Sequence, residues 1–384
     1  MKYLTVVILT VVNHFYVSAQ IKNNWSYHLS LGGGYIIETT NFLRGNNVDN
    51  RNIDWALSFS FEMKKHVSGV KAWHHYYNNL HYGAGLYHTR LNYSKNIGNP
   101  SSAYLFFGFS PFKTKKTEII TDIGLGLSGI WDYYSTENIH NDAVSMPVEA
   151  HVHFKLTWEY NFSPSWAVNV SSAYVHFSNG ALKKPNFGIN IPQLSIGMTY
   201  YPNKTSITSP IDTIEKFKPW NQIINVFYGR QGVKVYVPEH SNPRGNVQKE
   251  EVKQESFSII GIDYRFQKRF SFSHSLGFGV EALYNNSYAK NEKYYMRNRQ
   301  DGLKFEDKIA LSTFICYEYH INRFSILLEP GVYLRKYSDT EQPILWQRIG
   351  ARYYFPNRLF AEMSLRAYSF RVADFLQFSL GYRI

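Results

Sequence analysis

The strongest constraint in this sequence is a two-residue alternation of apolar and polar side chains that recurs along almost its whole length. From Glu118 to Trp131 one parity reads Glu118, Ile120, Asp122, Gly124, Gly126 and Ser128. The other reads Ile119, Thr121, Ile123, Leu125, Leu127, Gly129 and Trp131. Successive side chains of a strand point to opposite faces, so this segment has a small, polar face and an apolar face ending in an aromatic. The same period predicts strands near 24–38, 53–63, 80–93, 101–112, 117–133, 146–162, 164–178 and 190–202. It resumes near 220–236, 254–268, 270–286, 305–321, 323–337, 342–355, 358–370 and 371–384. In the second set Ile260, Ile262, Tyr264 and Phe266 alternate with Gly261, Asp263, Arg265 and Gln267.

Composition says what kind of all-β chain this is. Aromatics make up 17% of it, with 31 Tyr and 27 Phe, yet mean hydropathy is −0.34. A transmembrane antiparallel β-barrel reconciles the two, because its strands alternate lipid-facing and lumen-facing residues and its interfaces carry aromatic girdles. A soluble, tyrosine-rich β-sandwich in the periplasm is the alternative. The single cysteine, Cys316, cannot form an internal disulfide. The net charge of +12 points to an anionic partner, and for an exported chain a glycolipid surface fits better than nucleic acid.

Export is read from the first residues. Lys2, the apolar run Leu4 to Val12, and Val17-Ser18-Ala19 before Gln20 form a secretory signal peptide over residues 1–19. About 365 residues remain, and no later stretch approaches the roughly 18 apolar residues of a membrane helix. The polar stretch 203–219, with Pro210 and Pro219, reads as a linker between a region 20–202 and a region 220–384. The polar break from Lys290 to Lys304 reads as a long external loop. The two regions end alike: Gln193-Leu194-Ser195-Ile196-Gly197 mirrors Gln377-Phe378-Ser379-Leu380-Gly381, and Ala173-Tyr174 mirrors Ala367-Tyr368. Two tandem eight-stranded barrels are therefore expected, with one barrel of about 16 strands as the alternative.

The segment from Trp166 to Tyr200 carries the chemistry. Ala167, Asn169, Ser171 and Ala173 share one face of the seventh strand; Trp166, Val168, Val170, Ser172, Tyr174, His176 and Ser178 share the other, lipid-directed one. The eighth strand returns with Leu194, Ile196, Met198 and Tyr200 outward, and the same parity puts Asn190 outward beside His176. With the mature N-terminus in the periplasm, this set lies at the outer-leaflet end. Serine is a poor nucleophile until a base takes its proton, and that base needs a third group to fix its tautomer. Ser178 as nucleophile, His176 as general base and Asn190 as orienter satisfy those needs. Asn179, Asn186 and the backbone at Gly180 are candidate oxyanion donors. Without a functional role, a histidine and a serine here would be ordinary residues at headgroup height.

The run Ala173-Tyr174-Val175-His176-Phe177-Ser178-Asn179-Gly180, followed by Lys184-Pro185-Asn186-Phe187-Gly188, resembles the PagL-type outer-membrane lipid A deacylases. Members carry an H-x-S-N core and a downstream P-N-x-G element. The resemblance covers roughly residues 24–202 and is similar to the longer, two-part members described as acyloxyacyl hydrolases. It implies a serine hydrolase that removes an ester-linked 3-O-acyl chain from lipid A of lipopolysaccharide in the outer membrane, with no metal or other cofactor. His176 and Ser178 match the family's catalytic pair, and Asn179 and Asn186 the amides of its motif. Twelve residues after the serine, where studied members place a glutamate, this chain has Asn190, which can orient an imidazole but not neutralise an imidazolium.

The second region lacks the site: aligning Ala367-Tyr368 on Ala173-Tyr174 puts Phe370 and Val372 at the positions of His176 and Ser178. Lys183 and Lys184, in the turn between the catalytic strands, are candidate contacts for lipid A phosphates. His74-His75 and His151/His153 have metal-like proximity but no acidic or cysteine cluster near them, so they read as interfacial or lumen histidines. Gly32-Gly33-Gly34 precedes no helix and so is no phosphate loop. The chain is thus expected to be an outer-membrane serine esterase. The alternatives are a phospholipase using the same site and a non-enzymatic barrel serving as structure, adhesin or channel.

Overall fold

The computed structural model describes residues 24–67, 77, 79–203, 218–237, 251–290, 304–336, 343–369 and 372–384. The expected signal peptide, the linker segment 204–217, His74-His75 and most of the 290–304 break lie outside them.

Among the described residues sixteen strands are present, and they close into two antiparallel barrels of eight. The first holds β1 (Trp25–Tyr35), β2 (Trp55–His66), β3 (His81–Leu91), β4 (Gly98–Lys113), β5 (Thr117–Trp131), β6 (Glu149–Asn161), β7 (Trp166–Ser178) and β8 (Ile189–Tyr200). The second holds β9 (Trp220–Val237), β10 (Glu251–Arg269), β11 (His274–Asn285), β12 (Ile309–Ile321), β13 (Phe324–Arg335), β14 (Leu345–Tyr354), β15 (Leu359–Tyr368) and β16 (Val372–Arg383). Closure is made by β1 on β8, from Tyr27↔Tyr200 to Gly34↔Gln193, and by β9 on β16, from Arg230↔Leu376 to Ile223↔Arg383. Each closed ladder satisfies its own backbone and leaves no open edge, which is the condition for crossing lipid with strands. The single 16-stranded barrel is thereby replaced by two small ones.

In the first barrel the outward positions are mostly apolar through the middle of the strands, with Ser172 of β7 an exposed exception. Leu31, Leu86, Leu105, Leu127 and Ile196 are all more than half exposed. Charged side chains on that face are confined to strand ends, Lys65 and Lys113 at one rim and Arg90 at the other. A lipid-facing Lys or Arg at the bilayer midplane costs about 2–4 kcal/mol, falling toward zero at the interface, so the segregation is what a membrane selects. Trp158 and Tyr160 stack on one rim, and the Trp166 and Tyr200 rings lie 4.7 Å apart there.

The lumens are filled. In the first barrel Lys64 reaches Asp122 at 3.2 Å, His81 Nε2 lies 2.5 Å from the same carboxylate, and Lys155 pairs with Glu62, which also accepts from the Tyr104 hydroxyl. In the second, Arg265 spans Asp263, Glu329 and Glu362, while Arg348 and Arg366 share Glu281 and Arg352 joins Glu318 to Glu362. These side chains are essentially unexposed. A lumen filled this way is a packed core rather than a pore.

At its end β5 departs from simple alternation. Trp131 was expected on the lipid face, but it is buried and its indole N–H donates to Ser128 Oγ at 2.9 Å. Ile130 takes a positive φ of 67°, and the β4–β5 register shifts between Gly98 and Ser101. An irregularity of this kind inverts the side-chain parity beyond it, turning Trp131 inward and leaving Ile130 exposed.

Candidate functional site

Strand parity builds the site. β7 ends with Val175 and Phe177 pointing inward, 2% and 0% exposed, and His176 and Ser178 pointing outward. β8 opens with Ile189 and Ile191 inward and Asn190 outward. The four inward residues belong to one apolar cluster with Ile36, Phe42, Tyr87, Trp131, Val144 and others at that end of the barrel. The polar side chains outside are therefore mounted on backbone that a hydrophobic plug holds from within. Rigid mounting of this kind is what a catalytic constellation requires.

His176 and Asn190 are direct cross-strand partners, and His176 Nδ1 lies 2.7 Å from Asn190 Oδ1. An amide oxygen only accepts, so Nδ1 carries the proton and the neutral ring keeps its lone pair on Nε2. On the other side β6 places Val152 opposite His176 and Ala150 opposite Ser178. Further along the same face stand Phe154, Tyr174, Pro192 and Leu194, all exposed. The polar set thus caps an apolar stripe.

Gly188 fits between the two catalytic candidates. Its φ is +71°, and a Cβ built on it would meet Phe177 O at 2.7 Å, His176 Cε1 at 3.0 Å and Ser178 Cβ at 3.2 Å. Only glycine supplies both the left-handed backbone and the empty space. Two loops of the same barrel hold the segment 187–190. Phe187 and Gly188 donate to the carbonyls of Asp142 and Ala143, at 3.3 and 3.0 Å; Ile37 N–H donates to Asn190 O at 2.9 Å, and Thr39 Oγ1 to Gly188 O at 3.3 Å.

Asn141 fixes the first of those loops. It is fully buried and uses its whole side-chain amide: Nδ2 donates to Asn96 O and Asp132 O, and Oδ1 accepts from the N–H groups of Ala143 and Val144. The sequence reading missed this residue, since a lone asparagine in a polar loop carries no periodic or motif signal. At the same rim Tyr93 and Lys95 both donate to Asp49, and these bonds hold its carboxyl below the usual range.

The turn 179–186 is organised by its own amides. Gly180 and Ala181 have positive φ, Asn179 Nδ2 donates to Lys183 O at 3.1 Å, and Asn186 Oδ1 accepts from Asn179 N–H at 3.3 Å. The Asn179 side chain is thus engaged in shaping the turn. Lys183 is exposed and Lys184 half-buried.

His151 and His153 face the lumen, where His151 Nε2 contacts His153 Nδ1 and His151 Nδ1 contacts Ser102 Oγ, both at 3.0 Å. In the second barrel the position aligned on Ser178 is Val372, which is exposed, and Phe370 lies outside the described residues.

Two family models match the chain: Lipid A 3-O-deacylase (PagL) over residues 57–199, and Acyloxyacyl hydrolase, C-terminal domain, over residues 220–384. The chain belongs to the PagL-type, two-domain acyloxyacyl hydrolase family. At the level of that family its function is hydrolytic, of the lipid A deacylase type. Among solved structures it is similar to the outer membrane enzyme PagL, at 14% identity and a TM-score of 0.28, over 44% of this chain and 97% of that one. It is also similar to the toluene transporter TbuX of Ralstonia pickettii, at 8% identity and a TM-score of 0.18, over 95% and 90% of the two chains. Among curated proteins none matches.

Proposed function

We propose that this PagL-type acyloxyacyl hydrolase is an exported outer-membrane serine esterase that removes a 3-O-linked acyl chain from lipid A. The observation that carries the reading is the 2.7 Å bond from His176 Nδ1 to Asn190 Oδ1 on the outward face that also bears Ser178. It leaves Nε2 as the proton acceptor. Ser178 Oγ attacks the acyl carbonyl carbon while its proton passes to Nε2. The tetrahedral intermediate collapses, the sugar C–O oxygen leaves with that proton, and the acyl chain stays on Ser178. Water, deprotonated by the same imidazole, then attacks the acyl-enzyme, and the fatty acid departs as Ser178 regains its proton.

The surroundings suit such a substrate. An acyl chain lying along the barrel meets Val152, Phe154, Tyr174 and Leu194, while the ester sits at the rim, where polar side chains cost little. Donors on the 179–186 turn, from Gly180 and Asn186, are assigned to the oxyanion, and Lys183 and Lys184 to lipid A phosphates. The filled lumen weighs against a channel.

Mass spectrometry of lipid A from cells expressing wild type or Ser178→Ala tests the reading. Loss of one 3-O-acyl chain only with wild type is expected; identical acylation patterns overturn it. Hydrolysis of phospholipid vesicles without change to lipid A would reassign the same site to phospholipid.

A further inference from the structure

The lipid-directed face of the first barrel carries a second polar group, on β3 and β4. His88 and Ser101 are direct partners across that ladder, and a 2.9 Å hydrogen bond joins His88 Nδ1 and Ser101 Oγ. Both share the outward parity of the exposed Leu86 and Ala103. Arg90, exposed on the same face, stands two residues beyond His88. That is about 7 Å along the strand, a distance an arginine side chain spans. All three lie at the rim that bears His176 and Ser178, because β3 and β7 run the same way round the closed barrel. Polar side chains on a lipid-facing strand are costly, and they mark sites where something other than hydrocarbon is met.

Arg90 has no anion of its own. The loops of this rim, 36–54, 92–97, 132–148 and 179–188, are all described. Glu38 faces Arg44, Asp49 accepts from Lys95 and Tyr93, and Asp54 accepts from Asn92. No carboxylate of these loops stands within ion-pair distance of Arg90. Across the β2–β3 ladder its partner is Leu57, and that of His88 is Phe59.

Beside the pair the lipid face is hollow. Ser101 is paired with Gly129 across the β4–β5 ladder, and a Cβ built on that glycine would meet nothing within 4 Å. Ala103, the next outward residue of β4, lies between Leu86 and Leu127, both exposed. A group of donors thus tops a slot floored by Gly129 and Ala103 and walled by two leucines. When His88 Nδ1–H donates to Ser101 Oγ, the hydroxyl keeps its own hydrogen for a ligand oxygen. The guanidinium beside it has the fork geometry that matches phosphate. At headgroup height the anion on offer is a lipid phosphate, and the slot below it suits that lipid's chain.

We propose that His88, Arg90 and Ser101 bind the phosphate group of an anionic lipid in the leaflet at this rim, with its chain seated over Gly129 and Ala103. The site rests on the reading of the barrel as membrane-spanning, but not on the chemistry at Ser178.

Full-length protein in zwitterionic detergent is titrated with ether-linked phosphatidic acid, which no esterase cleaves, or with the matching neutral dialkylglycerol. Native mass spectrometry counts the lipid retained. Wild type is expected to retain the phosphate lipid preferentially. Arg90→Gln should lose about fivefold of that retention, and Arg90→Gln/Ser101→Ala about tenfold or more. Gly129→Leu fills the slot without touching a donor and should weaken retention as well. Lys65→Gln, on the opposite rim, removes one charge and is expected to bind as wild type. Heat-modifiability on a gel confirms that each variant is folded, and lipid A deacylation, measured in parallel, reports on the other site. Equal retention of both lipids by wild type overturns the proposal, as does undiminished retention by the folded double variant or by folded Gly129→Leu. An equal loss in Lys65→Gln overturns it by reducing the effect to net charge. Displacement of the lipid by millimolar inorganic phosphate overturns it by making the site one for the free ion.

Discussion

His176 and Asn190 are direct partners across the β7–β8 ladder, and a 2.7 Å hydrogen bond joins His176 Nδ1 to Asn190 Oδ1. The backbone register thus sets which imidazole nitrogen is protonated. A carboxylate in the same place would do this and also stabilise the imidazolium formed when the serine gives up its proton; the amide does only the first. Asn190→Leu is therefore expected to lower kcat about tenfold to a hundredfold with little change in KM. Asn190→Asp should raise kcat above wild type. Steady-state deacylation with purified lipid A in micelles measures both, and an unchanged kcat in Asn190→Leu removes Asn190 from the mechanism.

Gly188 should tolerate no side chain. Alanine there adds a methyl group within 3.0 Å of His176 Cε1 and 2.7 Å of Phe177 O, on a backbone at φ +71°. The strain is on the order of 1–3 kcal/mol, and it is relieved by moving the very groups that react. Gly188→Ala is expected to cut kcat at least tenfold while the barrel still folds, as heat-modifiability on a gel will show. Wild-type kcat in a folded Gly188→Ala protein would mean that the gap over the pair is unimportant.

Asn141 touches neither the pair nor Asn190, yet it should matter to catalysis. Its amide is bonded to Asn96 O, Asp132 O, Ala143 N and Val144 N, and the Asp142 and Ala143 carbonyls in turn hold Phe187 and Gly188. Asn141→Ala leaves buried backbone groups unpaired, at about 1–3 kcal/mol for each. The expected outcome is a lower kcat with KM near wild type, because the loop positions the site rather than the substrate. Asn141→Asp keeps the two acceptor bonds, loses the two donor bonds, and should fall between. A rise in KM at unchanged kcat would instead place the loop in substrate binding.

Much of this was legible in the sequence because period 2 is a geometric property of strands. Alternation located all sixteen strands, and parity alone put His176, Ser178 and Asn190 on one outer face. Closure was harder. The pairing of Tyr27 with Tyr200 joins strands whose patterns would suit many partners, and only the similar endings of the two regions pointed to two barrels. Trp131 was misplaced because a β-branched residue, Ile130, takes a positive φ that no local sequence rule signals. Asn141 and the lumen ion pairs were invisible for a related reason. They depend on which strands meet across the barrel, and spacing along one strand holds no record of that.

The buried network of the second barrel offers a test of stability separate from the site. Glu281 Oε2 lies 2.8 Å from Arg348 Nη1, Glu281 Oε1 lies 2.6 Å from Arg366 Nη2, and Ser312 Oγ donates to the same carboxylate at 3.1 Å. All three charged side chains are unexposed. Arg366 also stacks 4.0 Å from the Trp346 ring centroid, so it cannot swing to water without unpacking the core. Glu281→Leu removes one charge and leaves two guanidinium groups short of a partner in a low-dielectric interior. Loss of one member of such a network costs about 3–5 kcal/mol. Glu281→Gln keeps an acceptor and should cost less. Asp49→Asn, at the exposed Lys95 pair on the rim, should leave the unfolding midpoint where it is, because water screens that pair. Urea unfolding from lipid vesicles, followed by tryptophan fluorescence, orders the three variants. If Glu281→Leu unfolds no earlier than Asp49→Asn, the lumen charges are not holding the barrel together.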